Sequence, residues 1–430
     1  MQLRIEKLVY GGDGLARFSA GESGRAKAVF VPFSIDGEEI EGQIVEQKPG
    51  FARARIETIR TPSPDRISPC CPYFFECGGC QYQHVDYRRQ LAAKSAILVE
   101  TLKRTASLEL PEIAIHASPQ WNYRNRTRLK VRAGARFALG YYRFRSHDLL
   151  PAEQCPISSL LINRAMRSLW EMGPTAGFAP ELCELELFAN ESDRQLLIEA
   201  YFKTGGARKL IRNTCERLAK TAPEVVGVVA FEQPDPGKPQ VSRKLASVGA
   251  TELDYQTNSV QYRVSAGAFF QVNRFLIDEL VDLATGGASG ELALDLYAGV
   301  GLFSSVLARS FRQVVAVESS PISHADLGRN APPQVKTELA TTEQFLGKAR
   351  GFAPDWVVAD PPRAGLGDGV IRGLAKLASP VITYVSCDPA TLARDLRALA
   401  ALGYRVREAH LIDLFPQTFH IESVFHLARS

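Results

Sequence analysis

The chain has 430 residues, 45% of them apolar and 23% charged, and its formal net charge is +4. This composition is typical of a soluble globular protein with two to four domains. No apolar run approaches the roughly 18 residues of a membrane span, and the first residues, MQLRIEKLVY, lack a signal-peptide pattern, so we expect a cytoplasmic protein with no membrane contact.

Residues 1–60 are predicted to form a small β-barrel, because short alternating runs are separated by glycine-rich turns at regular spacing. The four predicted strands are Leu3–Tyr10, Ala28–Phe33, Glu39–Val45 and Ala52–Ile59. Acidic and basic residues balance in this unit, so a nucleic-acid role would need a local patch. Residues 61–65, rich in proline, are typical of a linker.

Four of the eight cysteines crowd into residues 70–80. In a cytosolic chain this pattern indicates metal binding rather than disulfides. Five residues separate Cys71 from Cys77 and two separate Cys77 from Cys80 (x5 and x2 spacing), although Cys70 could replace Cys71 as a ligand. Thiolates suit zinc as well as iron–sulfur clusters, so the spacing leaves the metal open. It differs from the x3 and x2 spacing of radical S-adenosylmethionine enzymes, so a redox catalyst is not expected.

A helix is predicted over residues 86–106, where leucines recur at helical spacing. Basic residues are concentrated in this helix and, more strongly, from Gln120 to Leu150. The second stretch contains eight Lys and Arg and a single acidic residue, Asp148. Such a stretch with interleaved aromatic residues suits nucleic acid. A solvated surface, or aromatic residues that face a core, would give the same pattern.

From residue 123 to about 231 the pattern is mostly of strands, and a helix is predicted near 207–220. The clearest predicted strands are Cys183–Phe188, Gln195–Tyr201 and Val225–Phe231. We therefore predict a central, antiparallel α+β domain over residues 66–264, with the 86–106 helix packing on the domain that follows.

Beyond residue 265 strands alternate with helices, which predicts an α/β domain with a doubly wound parallel sheet over 265–430. The predicted strands are Leu292–Leu296, Gln313–Val317, Trp356–Ala359, Val381–Val385, Tyr404–Leu411 and Ile421–Leu427, and the predicted helices are Phe303–Arg309, Pro321–Arg329, Gly369–Leu377 and Pro389–Leu402. The last two strands are consecutive, which suggests an antiparallel pair at the edge of the sheet.

The first strand of this domain runs into the loop Asp295-Leu-Tyr297-Ala-Gly299-Val-Gly301. Glycines let a backbone turn tightly and approach a ligand closely. Glu318 ends the next strand, 23 residues after Asp295, near the position of an acid that binds ribose hydroxyls. The pattern resembles the first motif of class I S-adenosylmethionine methyltransferases. NAD binding and a purely structural turn are the alternatives.

Three further residues follow or open strands of the same sheet. Asp360 begins Asp-Pro-Pro-Arg363 at one strand end, where it could line a ligand crevice or merely cap a helix. Cys387 follows the next strand, as a nucleophile or a small core residue. Glu422 lies just inside an apolar strand, so it is either paired structurally or kept with a raised pKa for proton transfer.

Together these residues resemble the RNA (uracil-5-)-methyltransferase family, in its iron–sulfur branch that acts on 23S ribosomal RNA. The matching stretches are Phe269-Phe-Gln271-Val-Asn273, Asp295–Gly301, Asp360-Pro-Pro-Arg-Ala-Gly365, Ser386-Cys387-Asp388-Pro389 and His420-x-Glu422. The resemblance covers essentially the whole chain. It implies a class I (Rossmann-like) methyltransferase domain, an RNA-binding TRAM-like barrel related to OB folds, and S-adenosyl-L-methionine as methyl donor.

The resemblance also implies roles for individual residues. Cys387 is the nucleophile that attacks carbon 6 of a uridine, and Glu422 is the base that removes the proton from carbon 5, which yields 5-methyluridine. The implied cofactor-binding residues are Gln271, Tyr297, Gly299, Glu318 and Asp360. The implied ligands of a [4Fe-4S] cluster, structural or RNA-positioning, are Cys71, Cys77, Cys80 and Cys155.

The sequence departs from the family pattern at Leu302, Thr341–Thr342, Asp388 and Gln417, which leaves substrate choice less certain. No obligate protein partner is indicated. One alternative function is the same chemistry on transfer RNA. An alternative of another class is a non-catalytic RNA-binding or ribosome-assembly factor that kept the fold, against which Cys387 and Glu422 argue.

Overall fold

A computed structural model of the protein describes residues 1–19, 26–134, 136–233, 243–258, 260–349 and 351–429. Among these residues, no helix combines the length and the apolar character that crossing a lipid bilayer requires. The described chain forms an N-terminal barrel, a central mixed sheet and a larger C-terminal sheet covered by helices.

The N-terminal strands close into a barrel in the order β1-β2-β3-β5-β4, which confirms the predicted barrel. Its strands are β1 Gln2–Leu8, β2 Asp13–Ser19, β3 Ala26–Pro32, β4 Glu39–Gln47 and β5 Phe51–Thr61. Alternate residues such as Leu3, Ile5 and Val31 point inward and form its core. β2 was not predicted, because glycines at both of its ends obscure the alternation.

Helix α1 (Tyr87–Ala106) begins at Asp86, whose side chain accepts a hydrogen bond from the Arg88 amide. It packs against a helix of the C-terminal domain. Buried Lys94 on α1 donates to Asp413 (2.6 Å) and to the carbonyl of Phe415 (3.0 Å). After α1 the chain enters β6 (Ile113–His116), which also belongs to the C-terminal sheet, so residues 66–264 contribute to both sheets.

The central sheet has seven strands in the order β13-β12-β11-β10-β7-β8-β9. Its elements are β7 Arg126–Arg132, β8 Ala138–Tyr142, β9 Leu149–Pro151, α2 Leu160–Met172, β10 Leu182–Ala189, β11 Leu196–Phe202, α3 Arg208–Leu218, β12 Val225–Glu232 and β13 Lys244–Gly249. The predicted all-antiparallel pairing was wrong at one place. β11 and β12 are parallel, because α3 carries the chain back to the starting end of the sheet.

A hairpin and a helix lead from the central sheet into the C-terminal one. The elements from here to the chain end are β14 Glu252–Gln256, β15 Gln261–Ser265, α4 Ile277–Thr285, β16 Gly290–Leu296, α5 Ser304–Leu307, β17 Phe311–Glu318, α6 Pro321–Asn330, β18 Val335–Leu339, α7 Thr342–Lys348, β19 Trp356–Ala359, α8 Gly367–Leu377, β20 Val381–Ser386, α9 Pro389–Ala401, β21 Tyr404–Ile412 and β22 Glu422–Arg429.

The C-terminal sheet has the order β18-β17-β16-β19-β20-β22-β21-β6, with β16 to β20 parallel. This is the doubly wound sheet that the strand–helix alternation predicts. The predicted antiparallel pair of β21 and β22 is present, but its place at the edge was wrong. β22 inserts between β20 and β21, and β6 covers β21. The short polar elements β18 and α7 were not predicted.

Candidate active site

The predicted nucleophile and the predicted base lie at the same edge of the sheet, on two neighbouring strands. β20 stops at Ser386, so Cys387 is the first residue beyond it, while Glu422 opens β22. The two strands are antiparallel, and Ser386 pairs with Ser423. The register therefore sets Cys387 and Glu422 opposite each other at the carboxyl end of β20, where ligand crevices of such sheets form.

A cavity of about 870 Å³ opens at this edge of the sheet. It is lined by every predicted catalytic and cofactor-binding residue: Gln271, Tyr297, Gly299, Glu318, Asp360, Cys387 and Glu422. A volume of this size is in the usual range for a pocket that takes a small molecule. Residues from 271 to 422 meet here because four parallel strands end side by side.

The glycine loop after β16 has the backbone of a ligand-binding turn. Tyr297 has φ of 63°, a left-handed conformation that non-glycine residues seldom adopt outside special sites. Gly299 donates its N–H to Glu318 (2.9 Å), which fixes that carboxylate beside the loop. Gly301 has φ of 95°, in the left-handed region that favours glycine, and a Cβ there would lie 2.8 Å from the end of the Leu327 side chain of α6.

Two carboxyl groups of the cavity, those of Asp360 and Glu422, are buried in a setting that disfavours their charged forms. Burial and the neighbouring Asp295 raise the pKa of Asp360 to about 7. Burial, with Asp360 adding to it, raises the pKa of Glu422 well above its ordinary value. Burial, Glu422 and Asp360 likewise raise the pKa of the Cys387 thiol to about 12. A carboxyl with a raised pKa and a thiol with a raised pKa therefore share this edge.

Arg363 is the positive charge that opposes these effects. Its guanidinium lowers the pKa of Cys387 and of Glu422. It also donates to the ring of His420 (3.1 Å), whose own pKa is lowered to about 3, chiefly by burial and then by Arg363. The sequence shows Arg363 only as part of the Asp-Pro-Pro-Arg stretch, and its position beside the thiol was not predicted.

The barrel packs on loops beside the cavity, and the central domain contributes a residue to its lining. Tyr10, just after β1, packs edge-on against Phe419 at a ring separation of 5.4 Å. Its hydroxyl faces Asp388, and burial followed by that carboxylate raises the Tyr10 pKa. Arg124, from the basic stretch, lines the cavity directly. Neither contact was predictable, because nothing in the local pattern ties residues this distant to the C-terminal domain.

The departures from the family pattern have local structural roles. Asp388 caps α9 by accepting from the amides of Ala390 and Thr391, both at 3.0 Å. Thr341 forms a capping box with Gln344 at the start of α7.

The other two departures lie in packed surroundings. Leu302 is buried in the core cluster behind the glycine loop. Gln417 is buried and accepts a hydrogen bond from the Gln90 side chain of α1 (3.0 Å). None of the four departures removes Cys387 or Glu422 from the pocket edge.

The four cysteines predicted as cluster ligands line a second cavity, of about 300 Å³, between the 70–80 loop and the central sheet. Cys80 is buried and the other three are half-buried. Burial raises the pKa of Cys77 to about 11 and raises the pKa of Cys80 well above its ordinary value. Among the described residues, the only group of three metal-ligating side chains with donor atoms within 4.8 Å of one another lies elsewhere, so the cysteines do not form a closed single-ion site.

Arg124, His420 and Thr418 line this second cavity as well, and the first two also line the pocket of Cys387. The loop is docked by the bond from Gly78 N–H to the carbonyl of Tyr142 (3.0 Å). The cysteine cavity and the pocket are therefore neighbours that share a wall.

A sequence model of the tRNA (uracil-5-)-methyltransferase family matches residues 86–331 and 348–430. The chain belongs to this family. It is therefore an enzyme that uses S-adenosylmethionine to methylate carbon 5 of uracil in RNA. This confirms the family, the enzyme class, the methyl donor and the RNA substrate expected from the sequence. Neither the 23S target nor the iron–sulfur branch is tested by this match.

Relatives of nearly equal length carry the same broad description. An "uncharacterized RNA methyltransferase" of Aquifex aeolicus is 34% identical over 99% of this chain and 97% of its own length. Another, of Clostridium acetobutylicum, is 31% identical over 93% of this chain and 92% of its own.

A solved structure has the same fold. The Pyrococcus abyssi tRNA (uracil-54, C5)-methyltransferase, in complex with S-adenosyl-L-homocysteine, superimposes with a TM-score of 0.77 over 100% of both chains. Its sequence identity to this chain is 24%, so the likeness concerns the fold alone.

Proposed function

We propose that the enzyme methylates carbon 5 of a uridine in 23S ribosomal RNA through a covalent bond between Cys387 and the base. The observation that carries this proposal is the position of Cys387 opposite Glu422 at the rim of the pocket that contains the glycine loop and Glu318. A thiol and a buried carboxyl on one side of a pocket are the two groups that the reaction requires.

The proposed chemistry begins at the thiol. Carbon 5 of uracil is a poor nucleophile, and addition of the Cys387 sulfur to carbon 6 converts the ring to an enolate that is nucleophilic at carbon 5. S-adenosylmethionine, when bound, supplies an electrophilic methyl group. Arg363 favours the thiolate, because its positive charge lowers the pKa of Cys387. The base must leave its stack in the RNA to reach this sulfur.

Glu422 completes the reaction as the general base. After methylation, carbon 5 carries both the methyl group and its original hydrogen. Removal of that proton by Glu422 restores the enolate, which expels the sulfur of Cys387 and regenerates the double bond. Its raised pKa suits this role, because a base whose pKa lies nearer neutrality accepts a carbon-bound proton more readily.

We assign the methyl donor to the part of the pocket lined by Gln271, Tyr297, Gly299, Glu318 and Asp360. The Glu318 carboxylate ends β17 beside the glycine loop, where an acid can accept from ribose hydroxyls. Gln271 donates to Asp360 at 3.4 Å, which orients both side chains toward the same space. These contacts fit a nucleoside with a positively charged sulfonium group.

We further propose that Cys71, Cys77, Cys80 and Cys155 hold a [4Fe-4S] cluster. The donor set fits, because four thiols line one cavity and the Gly79 amide already donates to the Cys77 sulfur (3.4 Å), a contact typical of cluster sites. The cluster would hold the 70–80 loop on the central sheet beside Arg124. It would therefore position RNA and take no part in methyl transfer.

Ribosomal RNA is proposed over transfer RNA because of the cysteine site and the N-terminal barrel, which the ribosomal branch of the family shares. In this proposal the barrel, residues 1–60, binds RNA, residues 66–264 carry the cluster, and residues 265–430 perform catalysis. A 23S substrate also places the enzyme in the cytoplasm. Transfer RNA is the second candidate, and the solved relative of the same fold is named for a transfer RNA uridine.

The target is tested by mass-spectrometric mapping of 5-methyluridine in RNA from a deletion strain. The proposal requires the loss of 5-methyluridine from 23S RNA and its return when the wild-type chain, but not Cys387→Ala, is expressed. Loss from transfer RNA alone would reassign the substrate. Unchanged 5-methyluridine in both RNAs, with tight RNA binding by the purified chain, would favour a non-catalytic assembly factor.

A further inference from the structure

The turn that carries Arg363 lies between β19 and α8. Its backbone reverses over residues 362–365, where the Gly365 amide donates to the carbonyl of Pro362 (2.8 Å). Gly365 has φ of 74°, a conformation that a side chain disfavours. Arg363 lines the pocket that also contains Cys387, so the contacts that fix this turn also fix the approach of a positive charge to the thiol.

Asp395, on α9, is the centre of the contacts that hold the turn. Its side chain is fully buried. Its Oδ2 atom accepts from the amide of Leu366 (2.7 Å) and from the hydroxyl of Tyr384 on β20 (2.8 Å). The guanidinium of Arg394 donates to the Oδ1 atom (2.8 Å). Each oxygen thus receives at least one donor, which is what a buried carboxylate requires.

Arg394 binds the same turn directly, because its Nη2 donates to the carbonyl of Ala364 (2.8 Å). The carbonyl of Ala364 and the amide of Leu366 are therefore fixed by two consecutive residues of α9. The packing at Gly365 is close, since a Cβ there would collide with Oδ2 of Asp395 and lie 2.7 Å from Nη2 of Arg394. The turn cannot move away from α9 without breaking these bonds.

Cys387 lies between the two elements that supply these contacts. Tyr384 is on β20, the strand that ends just before the cysteine, and Asp395 is on α9, which begins at Pro389. The thiol and the turn of Arg363 are therefore positioned by the same strand and the same helix. The guanidinium of Arg363 lowers the pKa of Cys387, and such an effect depends on the distance between the two groups.

We propose that Asp395, assisted by Arg394 and Tyr384, is a positioning residue that holds the Arg363 guanidinium beside the Cys387 thiol. Because Asp395 is fully buried, it acts through the turn and not on a substrate. Without its bonds the turn moves, the thiol meets less positive charge, and less thiolate forms at a given pH. The consequence for methyl transfer rests on the proposed function of Cys387 as nucleophile, whereas the positioning itself does not.

The test is the rate at which iodoacetamide alkylates Cys387, followed by mass spectrometry of its peptide from anaerobically purified protein. Asp395→Asn breaks the arrangement, because an amide presents an NH₂ group to one of the donors. The direct effect of losing a negative charge would be a lower pKa of the thiol and faster alkylation. Loss of positioning slows alkylation, so the direction of the change separates the two effects.

Asp326→Asn is the matched control. Asp326 is also a buried carboxyl on a helix and accepts from a backbone amide, that of Ser265 (2.7 Å), but this contact fixes the end of β15 and not the turn of Arg363. Tyr384→Phe removes one donor to Asp395 without a change of charge. It decides the matter if circular dichroism shows that Asp395→Asn does not fold.

We expect Asp395→Asn to be alkylated at least about threefold more slowly than wild type between about pH 7 and 10, which corresponds to a rise of about half a pKa unit. Tyr384→Phe should also be slower, and Asp326→Asn unchanged. In an Arg363→Met background Asp395→Asn should have little further effect, because the guanidinium is already absent.

The proposal is overturned if Asp395→Asn reacts as fast as wild type, or if it does not fold and Tyr384→Phe reacts as fast as wild type. It is also overturned if Asp395→Asn slows alkylation equally with and without Arg363→Met, since its effect would then not pass through Arg363.

The consequence for function is measured with RNA that contains 5-fluorouridine, where adduct formation should also slow in Asp395→Asn. Absence of an adduct with the wild-type chain, together with slower alkylation of Asp395→Asn, would reject the proposed function and support the positioning. A normal wild-type adduct, together with unchanged alkylation of Asp395→Asn, would reject the positioning alone.

Discussion

Cys387 and Glu422 face each other across two antiparallel strands, one residue beyond the pair that Ser386 makes with Ser423. Because the strands share a register, the distance between sulfur and carboxyl is set by backbone hydrogen bonds rather than by flexible loops. The Ser423 hydroxyl adds a bond to the carbonyl of Ser386 (3.2 Å) at the same level. In the proposed mechanism, a thiol and a carboxyl fixed in this way would be pre-organised for one substrate ring between them.

The Glu422→Gln variant should trap the covalent intermediate with normal uridine RNA. The amide cannot remove the proton from carbon 5, while loss of the carboxylate lowers the pKa of Cys387 and so favours attack. We expect a protein–RNA adduct on denaturing gels and turnover reduced by at least about a hundredfold. Glu171→Gln, on the exposed face of α2, should behave as wild type. Wild-type turnover by Glu422→Gln would exclude Glu422 as the base.

Removal of the Arg363 charge should shift the pH dependence of adduct formation toward alkaline pH. The guanidinium lowers the pKa of Cys387, so Arg363→Met raises it and leaves less thiolate at a given pH. A rise of one pKa unit would slow adduct formation at neutral pH by about tenfold. Single-turnover rates across neutral and alkaline pH measure this, with Arg363→Lys as the charge-retaining control. Identical pH–rate profiles for Arg363→Met and Arg363→Lys would show that the charge at this position does not control the reactivity of Cys387.

Buried Asp295 should make the protein less stable as the pH rises. Its pKa in the folded protein is raised from 3.8 to about 7, chiefly by burial. The native state therefore binds more protons than the unfolded state between these values, so the free energy of unfolding falls as pH increases across this window. In Asp295→Asn the free energy of unfolding should decrease less across this window, by at most about 4 kcal/mol. Urea unfolding at several pH values tests it, and an unchanged slope would contradict it.

The buried ion pair of Lys94 and Asp413 should be essential for docking α1. Lys94→Met leaves the Asp413 carboxylate in the protein interior, where, among the described residues, the Tyr87 hydroxyl is its one remaining side-chain donor. Loss of one member of a buried pair costs about 3–5 kcal/mol. Chemical denaturation of both proteins measures this cost. The double variant Lys94→Met with Asp413→Asn should recover part of it, and a loss below about 1 kcal/mol would refute the importance of the pair.

Much of the site was predictable because its residues stand where strands end. Cys387 and Asp360 follow apolar, β-branched runs, and the glycine loop follows another, so a parallel sheet brings their positions together. The parallel pairing of β11 with β12 and the insertion of β22 beside β20 were not predictable, since both depend on how distant segments compete for the same sheet edge.

The contacts that sequence reasoning missed are all between distant segments. Tyr10 packs on Phe419 because the barrel docks on the C-terminal domain, and His116 contacts His410 because β6 joins a sheet whose other strands come from the last third of the chain. Each residue alone resembles an ordinary core or surface residue. Only the tertiary arrangement distinguishes them.

The most direct test of the central claim is the mass of the product formed with RNA that contains 5-fluorouridine. Fluorine cannot leave as a proton does, so the reaction stops after methyl transfer with the RNA still bonded to sulfur. We predict a stable adduct that requires S-adenosylmethionine, maps to Cys387 after digestion, persists in Cys183→Ala and is absent in Cys387→Ala while RNA binding remains. Methylation of uridine RNA without an adduct, or an adduct at another residue, would contradict the account.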